Sequence, residues 1–224
     1  MMKLRTTLSL CLLAVVLGTA PLPSAQAAGN PVDEVGANHN LAVDCLMRDK
    51  GPADATAFER VVTVCGYDPG MPVDEFVERN KPLLELDYQQ PIAKHMEAFR
   101  DSYKAEEFAY FAKLDNVLET SEDAKIADDR LAKLEAEAVA KLDARSESGR
   151  SVLGALSTAR HSLAYWQNHQ TDVGAAGIWT PWRWRLFWVV RADIIGFLYT
   201  GNWGAAAVIS YFYWWRLWWW WWWL

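Results

Sequence analysis

Residues 191–215, RADIIGFLYTGNWGAAAVISYFYWW, decide how the rest of the chain is read. From Ile194 to Trp215 run 22 residues without a formal charge. As one α-helix they would reach about 33 Å at 1.5 Å per residue, enough to cross a bilayer core. Gly196, Thr200 and Gly204 recur at every fourth position. Such a ridge of small residues lets helix backbones approach closely in lipid, so self-association through these three is expected. Trp182, Trp184 and Trp188 before the segment, and Trp214 and Trp215 at its end, stand where interfacial aromatic belts form. Contact with a lipid bilayer is therefore expected, through a transmembrane helix, a segment lying in the interface, or a shallow hairpin broken at Gly201 and Asn202. The alternative is a hairpin buried in the protein's own core. Lipid contact is preferred because the upstream chain holds apolar stripes enough to build a core alone.

Charge divides the 224 residues in the same place. Residues 28–177 hold 16 basic and 27 acidic side chains, whereas residues 178–224 hold four arginines (Arg183, Arg185, Arg191 and Arg216) against Asp193. The acidic part would repel phosphate, which argues against nucleic acid as a partner. The basic, aromatic part suits an anionic surface. Trp218 to Trp223 add six consecutive tryptophans, as consistent with a slipped codon repeat as with function. Residues 1–27 read as a cleaved signal peptide: Lys3 and Arg5, an apolar run from Leu8 to Leu17, then Ala25-Gln26-Ala27. Export would place Arg183, Arg185 and Arg191 outside, against the positive-inside rule, so a plain single-pass anchor fits poorly. Removal of the signal takes Cys11 and leaves Cys45 and Cys65, an even pair suited to a disulfide in an oxidising compartment.

Three parts are thus expected: residues 1–27 as signal, 28–177 as an acidic helical domain, and 178–224 as a hydrophobic tail. The fold class is an all-α helical bundle with a C-terminal hydrophobic helix or hairpin. Val152, Leu156, Ala159, Leu163 and Trp166 alternate steps of four and three, which is clean helical periodicity. Pro91 opens a long helix through Ile92, Met96, Phe99 and Tyr103, continued by Phe108 and Phe111. The aromatic stripe from Phe99 to Phe111 reads as core. Ser121 with Glu122 and Asp123 marks a new start, and Leu131, Leu134, Ala138 and Leu142 a further stripe. Shorter helices precede them, one from Asn30 to Asp49, one capped by Asp54 and one opened by Pro72.

Chemistry is sparse. His39, His95, His161 and His169 make no metal-binding pair on one helical face, and there is no phosphate loop or nucleophile elbow. No catalytic residue, metal ligand or cofactor is assigned. His39, Asn40 and Asp44 form a candidate polar site, or else a buried hydrogen-bond network, because Asn40 and Asp44 lie one turn apart. Ser157, His161, Tyr165 and Trp166 share near-helical spacing, but no orienting acid accompanies them.

These two stretches carry a resemblance. Gly36, His39, Asn40 and Asp44, followed late in the helical region by Ser157 to Trp166 (STARHSLAYW), resemble a family of uncharacterised secreted bacterial proteins. The resemblance implies a secreted protein and no known activity. Ala192, Asp193, Gly196 and Gly204 to Ala207 are also similar to the glycine-rich segment of class II bacteriocins, until Tyr211 to Trp223 depart from it in bulk. The expected function is a secreted or envelope-associated protein of unknown activity with a membrane-interacting C-terminal segment. The alternatives are a toxin-like effector that inserts its tail into membranes and a hydrolytic enzyme using His39 or His161.

Overall fold

The computed structural model describes residues 29–49, 56–170 and 181–219. The expected signal peptide (1–27), the capping role of Asp54 and Trp220 to Trp223 lie outside the described residues. So do the side chains of Trp182 and Arg183. The described chain is all-α. In order come α1 (Glu34–Arg48), α2 (Ala57–Thr63), α3 (Val73–Asn80), α4 (Ile92–Met96), α5 (Ala105–Thr120), α6 (Ala124–Lys141), α7 (Glu147–Gln170), α8 (Pro181–Thr200) and α9 (Trp203–Trp219). Short 3-10 turns, Lys81–Glu85 and Glu97–Ser102, follow α3 and α4.

Local chemistry sets most of these boundaries. Thr56 and Glu59 close a reciprocal capping box at the start of α2. Asp123 caps α6 by accepting from the Ile126 amide at 2.8 Å. The long helix expected from Pro91 is instead two helices. The chain tightens into the second 3-10 turn and turns extended at Tyr103, and α5 restarts with Glu107 reaching back to the Lys104 amide at 2.8 Å. The aromatic stripe accordingly splits: Phe108 and Phe111 are buried, while Phe99 is exposed. Cys45 and Cys65 form the expected disulfide, joining α1 to the end of α2 across a separation of 20 residues. Closing a loop of that size contributes about 3 kcal/mol by constraining the unfolded chain. Disulfides persist in oxidising compartments, so the bond is compatible with an exported protein.

The expected transmembrane helix is not there. Among the described residues no helix is long and apolar enough to cross a membrane. The uncharged segment from Ile194 to Trp215 is divided at Gly201, whose φ of 66° only glycine adopts without cost. The Gly201 amide closes the C-terminus of α8 on the Phe197 carbonyl at 2.7 Å. Asn202 then caps α9 by accepting from the Ala205 amide at 2.7 Å. Two residues of turn chemistry thus convert one apparent span into an antiparallel hairpin.

That hairpin is central rather than appended. α8 packs on α7 and α9 packs on α1 and α2. Leu186, Val189, Val190, Ile194 and Ile195 are fully buried, in one continuous core with Val43, Val61, Phe111, Leu131 and Leu156. A helix apolar on all sides is what a bundle needs at its middle. The small residues serve the same purpose: a Cβ at Gly196 would sit 3.2 Å from the Ala206 backbone, and one at Gly204 would lie 2.6 Å from the Tyr67 ring. Thr200 donates to the Gly196 carbonyl at 2.8 Å. Arg191 is likewise internal. It pairs with Glu119 at 2.9 Å and lies 3.7 Å from Asp115, whose carboxylate accepts the first amides of α4, Ile92 and Ala93.

Candidate functional site

Four helices meet at a polar cluster in the middle of the core. α1 supplies His39, α7 Ser162 and Trp166, α8 Asp193 and α9 Ser210; all five are fully buried. The Ser162 hydroxyl donates to Asp193 Oδ2 at 2.5 Å, and the Trp166 indole donates to the Ser210 hydroxyl at 3.1 Å. His39 Nδ1 donates to Asn40 Oδ1 at 3.1 Å. That bond fixes the proton on Nδ1 and leaves Nε2 bare, 3.6 Å from Asp193 Oδ2.

Geometry alone would suggest an ion pair here, but burial opposes it. Loss of water pushes the Asp193 carboxyl up to about 8, against the pull of Ser162, Ser210 and Trp166. Loss of water also lowers His39 to about 4, against the hydrogen bond to Asn40. At 3.6 Å the attraction does not offset removing two charges from water, so at neutral pH both groups are uncharged.

This arrangement has a pH signature. Between about pH 4 and 6.5 the unfolded pair is imidazolium plus carboxylate, and the folded pair is neutral imidazole plus protonated carboxyl. Both hold one proton, so the pair leaves stability flat. Above 6.5 the unfolded histidine has lost its proton, while folded Asp193 keeps its own up to about pH 8. The unfolded state then binds fewer protons, and stability falls by up to about 1.4 kcal/mol per pH unit, about 2 kcal/mol over the window. Asp193→Asn is expected to remove this fall and to expose the rise with pH that His39 alone produces from about 4 to 6.5. Urea unfolding at half-unit steps checks it; parallel curves for the two proteins would refute the neutral pair.

Of the sequence-derived polar site, His39 and Asn40 meet through their hydrogen bond, and Asp44 stands apart. His39 turns inward to Asp193, Asn40 Nδ2 donates to the His161 carbonyl at 2.7 Å, and Asp44 pairs with Arg48 along the helix surface. A second cluster forms where α1 begins. Asp33 Oδ1 meets His161 Nε2 at 3.0 Å, and the Ser157 hydroxyl donates to the Asp33 carbonyl at 2.9 Å while accepting from the Gly36 amide at 3.0 Å. Asp33 is the acid that sequence spacing did not indicate. The carboxylate stands between the two, since the buried Ser157 hydroxyl bonds Asp33, at its carbonyl and at 3.4 Å from Oδ1, and not the imidazole. A Cβ at Gly36 would lie 2.5 Å from the Ser157 carbonyl, so the residue serves close packing of α1 on α7. Asn30 ties the same region down, donating to Glu135 at 2.7 Å and to the Leu153 carbonyl at 2.9 Å.

Among the described residues no group of three His, Cys, Asp or Glu side chains could hold a metal ion.

The aromatic residues gather at one pole. Because α8 and α9 run antiparallel, the first turns of α8 and the last turns of α9 end together. Trp184, Phe212 and Trp215 are exposed there by 42%, 37% and 44%, with Trp188 half-buried beside them. Trp214 instead faces inward and stacks on Trp166 with ring centroids 4.3 Å apart. Arg216 is exposed on the same pole. The sequence continues from there into Trp218 to Trp223. Comparison with protein families, with curated proteins and with solved structures finds no match for this chain.

Proposed function

We propose that this chain is an exported protein that attaches to a lipid surface through its aromatic pole without crossing the bilayer. The observation that carries the reading is the hairpin. It folds two aromatic stretches, far apart when read as a span, onto one end of an otherwise acidic bundle. Trp184 and Trp215 supply amphipathic rings suited to the headgroup region, and Phe212 adds an apolar ring beside them. Arg216 brings an exposed positive charge to the same end. The acidic remainder disfavours approach of any other face to anionic lipid. The small-residue ridge supports this interfacial mode by holding the hairpin closed within the chain. The Cys45–Cys65 bond supports an extracytoplasmic location.

Co-sedimentation with vesicles tests the reading. The full chain is expected to pellet with vesicles containing phosphatidylglycerol and less with phosphatidylcholine alone. Trp184→Ser with Trp215→Ser is expected to weaken binding about tenfold or more, since affinity scales with apolar area inserted. A full-length protein indifferent to both vesicles overturns the proposal. Binding accompanied by release of an entrapped dye would favour a toxin-like effector over simple attachment.

A further inference from the structure

The opposite end of α8 borders a cleft that the lipid-binding pole does not explain. Its volume is about 750 Å³, within the range of small-molecule sites. It opens between the start of α1, the 3-10 turn after α4, the start of α7 and the end of α8. The stretch of α8 from Trp184 to Phe197 separates it from the aromatic pole by about 20 Å at 1.5 Å per residue.

The lining has two chemistries. The floor is apolar, with buried Val32, Met96 and Phe197. One wall is aromatic: Phe99 is exposed by 39% and meets the Tyr199 ring edge-on at 5.3 Å. A large apolar ring left open to water beside a cavity is a binding feature rather than core. The rim holds Arg145 and Arg150. Arg48, Arg60, Arg160 and Arg191 each lie close to a carboxylate, whereas Arg100 stacks over the Phe108 ring and Arg130 bonds Thr120, Ser121 and Asn116. Arg145 and Arg150 are exposed and form no ion pair among the described residues. Glu147 is the one carboxylate in the lining, so two guanidiniums face one acid.

From this juxtaposition we propose that the cleft binds a single-headed apolar carboxylate, its hydrophobic body on Met96, Phe99 and Phe197 and its head at Arg145 and Arg150. A monoanion matches the excess of one positive charge on the rim. Guanidinium suits a carboxylate because its planar donors can engage both oxygens. The volume accommodates a medium-length acyl chain or a fused aromatic ring, and both sources offer the same head. Of the hydroxyls in the lining, Tyr103 and Ser151 bond each other at 2.9 Å and Thr200 donates to the Gly196 carbonyl at 2.8 Å, so these three are engaged within the chain.

Calorimetric titration of the full chain with decanoate, 1-naphthoate and decyltrimethylammonium tests the proposal. Decanoate, 1-naphthoate or both should bind, and the cation should not. Binding of decanoate alone assigns the site to acyl chains, and of 1-naphthoate alone to aromatic acids. Arg145→Glu with Arg150→Glu should weaken the anion at least about tenfold, because two charge-assisted contacts are lost. Phe99→Asp should do the same from the wall. All three residues are exposed, so the variants should keep the parent's unfolding curve. Trp184→Ser with Trp215→Ser should leave anion binding unchanged, which separates this site from the lipid-binding pole. Failure of both anions to bind at millimolar concentration overturns the proposal, as does equal binding of the cation. Undiminished binding by the folded charge-reversed variant would place the anion elsewhere and overturn it too.

Discussion

Truncation after Gly177 is expected to leave a chain that cannot fold cooperatively. The cut removes α8 and α9, and with them Leu186, Val189, Val190, Ile194 and Ile195, each fully buried. At about 1.5–3 kcal/mol per buried aliphatic side chain, these five alone rival the roughly 5–15 kcal/mol that holds a typical domain together. The cut also bares the faces of α1 and α7 that they cover, and leaves Asp115 and Glu119 without Arg191. Circular dichroism and urea unfolding of the truncated chain check this: helical signal should fall throughout, and the sigmoidal transition should disappear. A truncated protein that unfolds sharply near the parent's midpoint would show the hairpin to be an appendage.

Trp166→Ala is expected to cost about 4 kcal/mol, the range for emptying a buried aromatic site. Trp166 is fully buried on α7, stacks on Trp214 at 4.3 Å and donates to Ser210 at 3.1 Å. Three terms therefore fall together: transfer of the ring, the cavity left behind, and the indole donor that the Ser210 hydroxyl loses on α9. Trp166→Phe separates them. It keeps most of the stacking and loses the indole donor, so its expected cost is about 1–2 kcal/mol. Equilibrium urea unfolding reads both. A loss below about 1 kcal/mol for Trp166→Ala would mean that the core closes over the gap, against the packing described.

Periodicity made α7 legible because every helical turn from Val152 to Trp166 faces core. Leu41, apolar in sequence, is by contrast 68% exposed, because among the described residues no helix covers that face of α1. Periodicity ran through the break before α5, where extended backbone at Tyr103 outweighs an unbroken apolar pattern. The transmembrane reading of the tail failed for a different reason, while the hairpin broken at Gly201 and Asn202 is what forms. Hydropathy records that a segment avoids water but not what replaces the water, and a bundle interior answers as well as lipid. Two signals did favour the interior: Gly201 with Asn202 as a stop and restart, and Asp193 with Arg191 inside an apolar helix. An ionisable residue in such a place needs a partner, and both have one within the chain. At the candidate site, His39 stood out in sequence, but Asp193 belongs to a helix made much later. Spacing rules reach one helix face and cannot supply that pairing. The cleft at Arg145 and Arg150 was silent in sequence, since isolated arginines in a charged stretch look solvated.

The seating of α9 against α1 and α2 also governs when this protein can mature. α9 is the last described helix to leave the ribosome, and at about 5–20 residues per second the stretch that separates it from α1 takes on the order of ten seconds or more to translate. Where the chain enters an oxidising compartment as it is made, the cysteines are available for pairing throughout that interval while their helices lack their final cover. Oxidation can thus precede completion of the interior, and any factor that shields nascent apolar surface would have its longest engagement with the earliest helices.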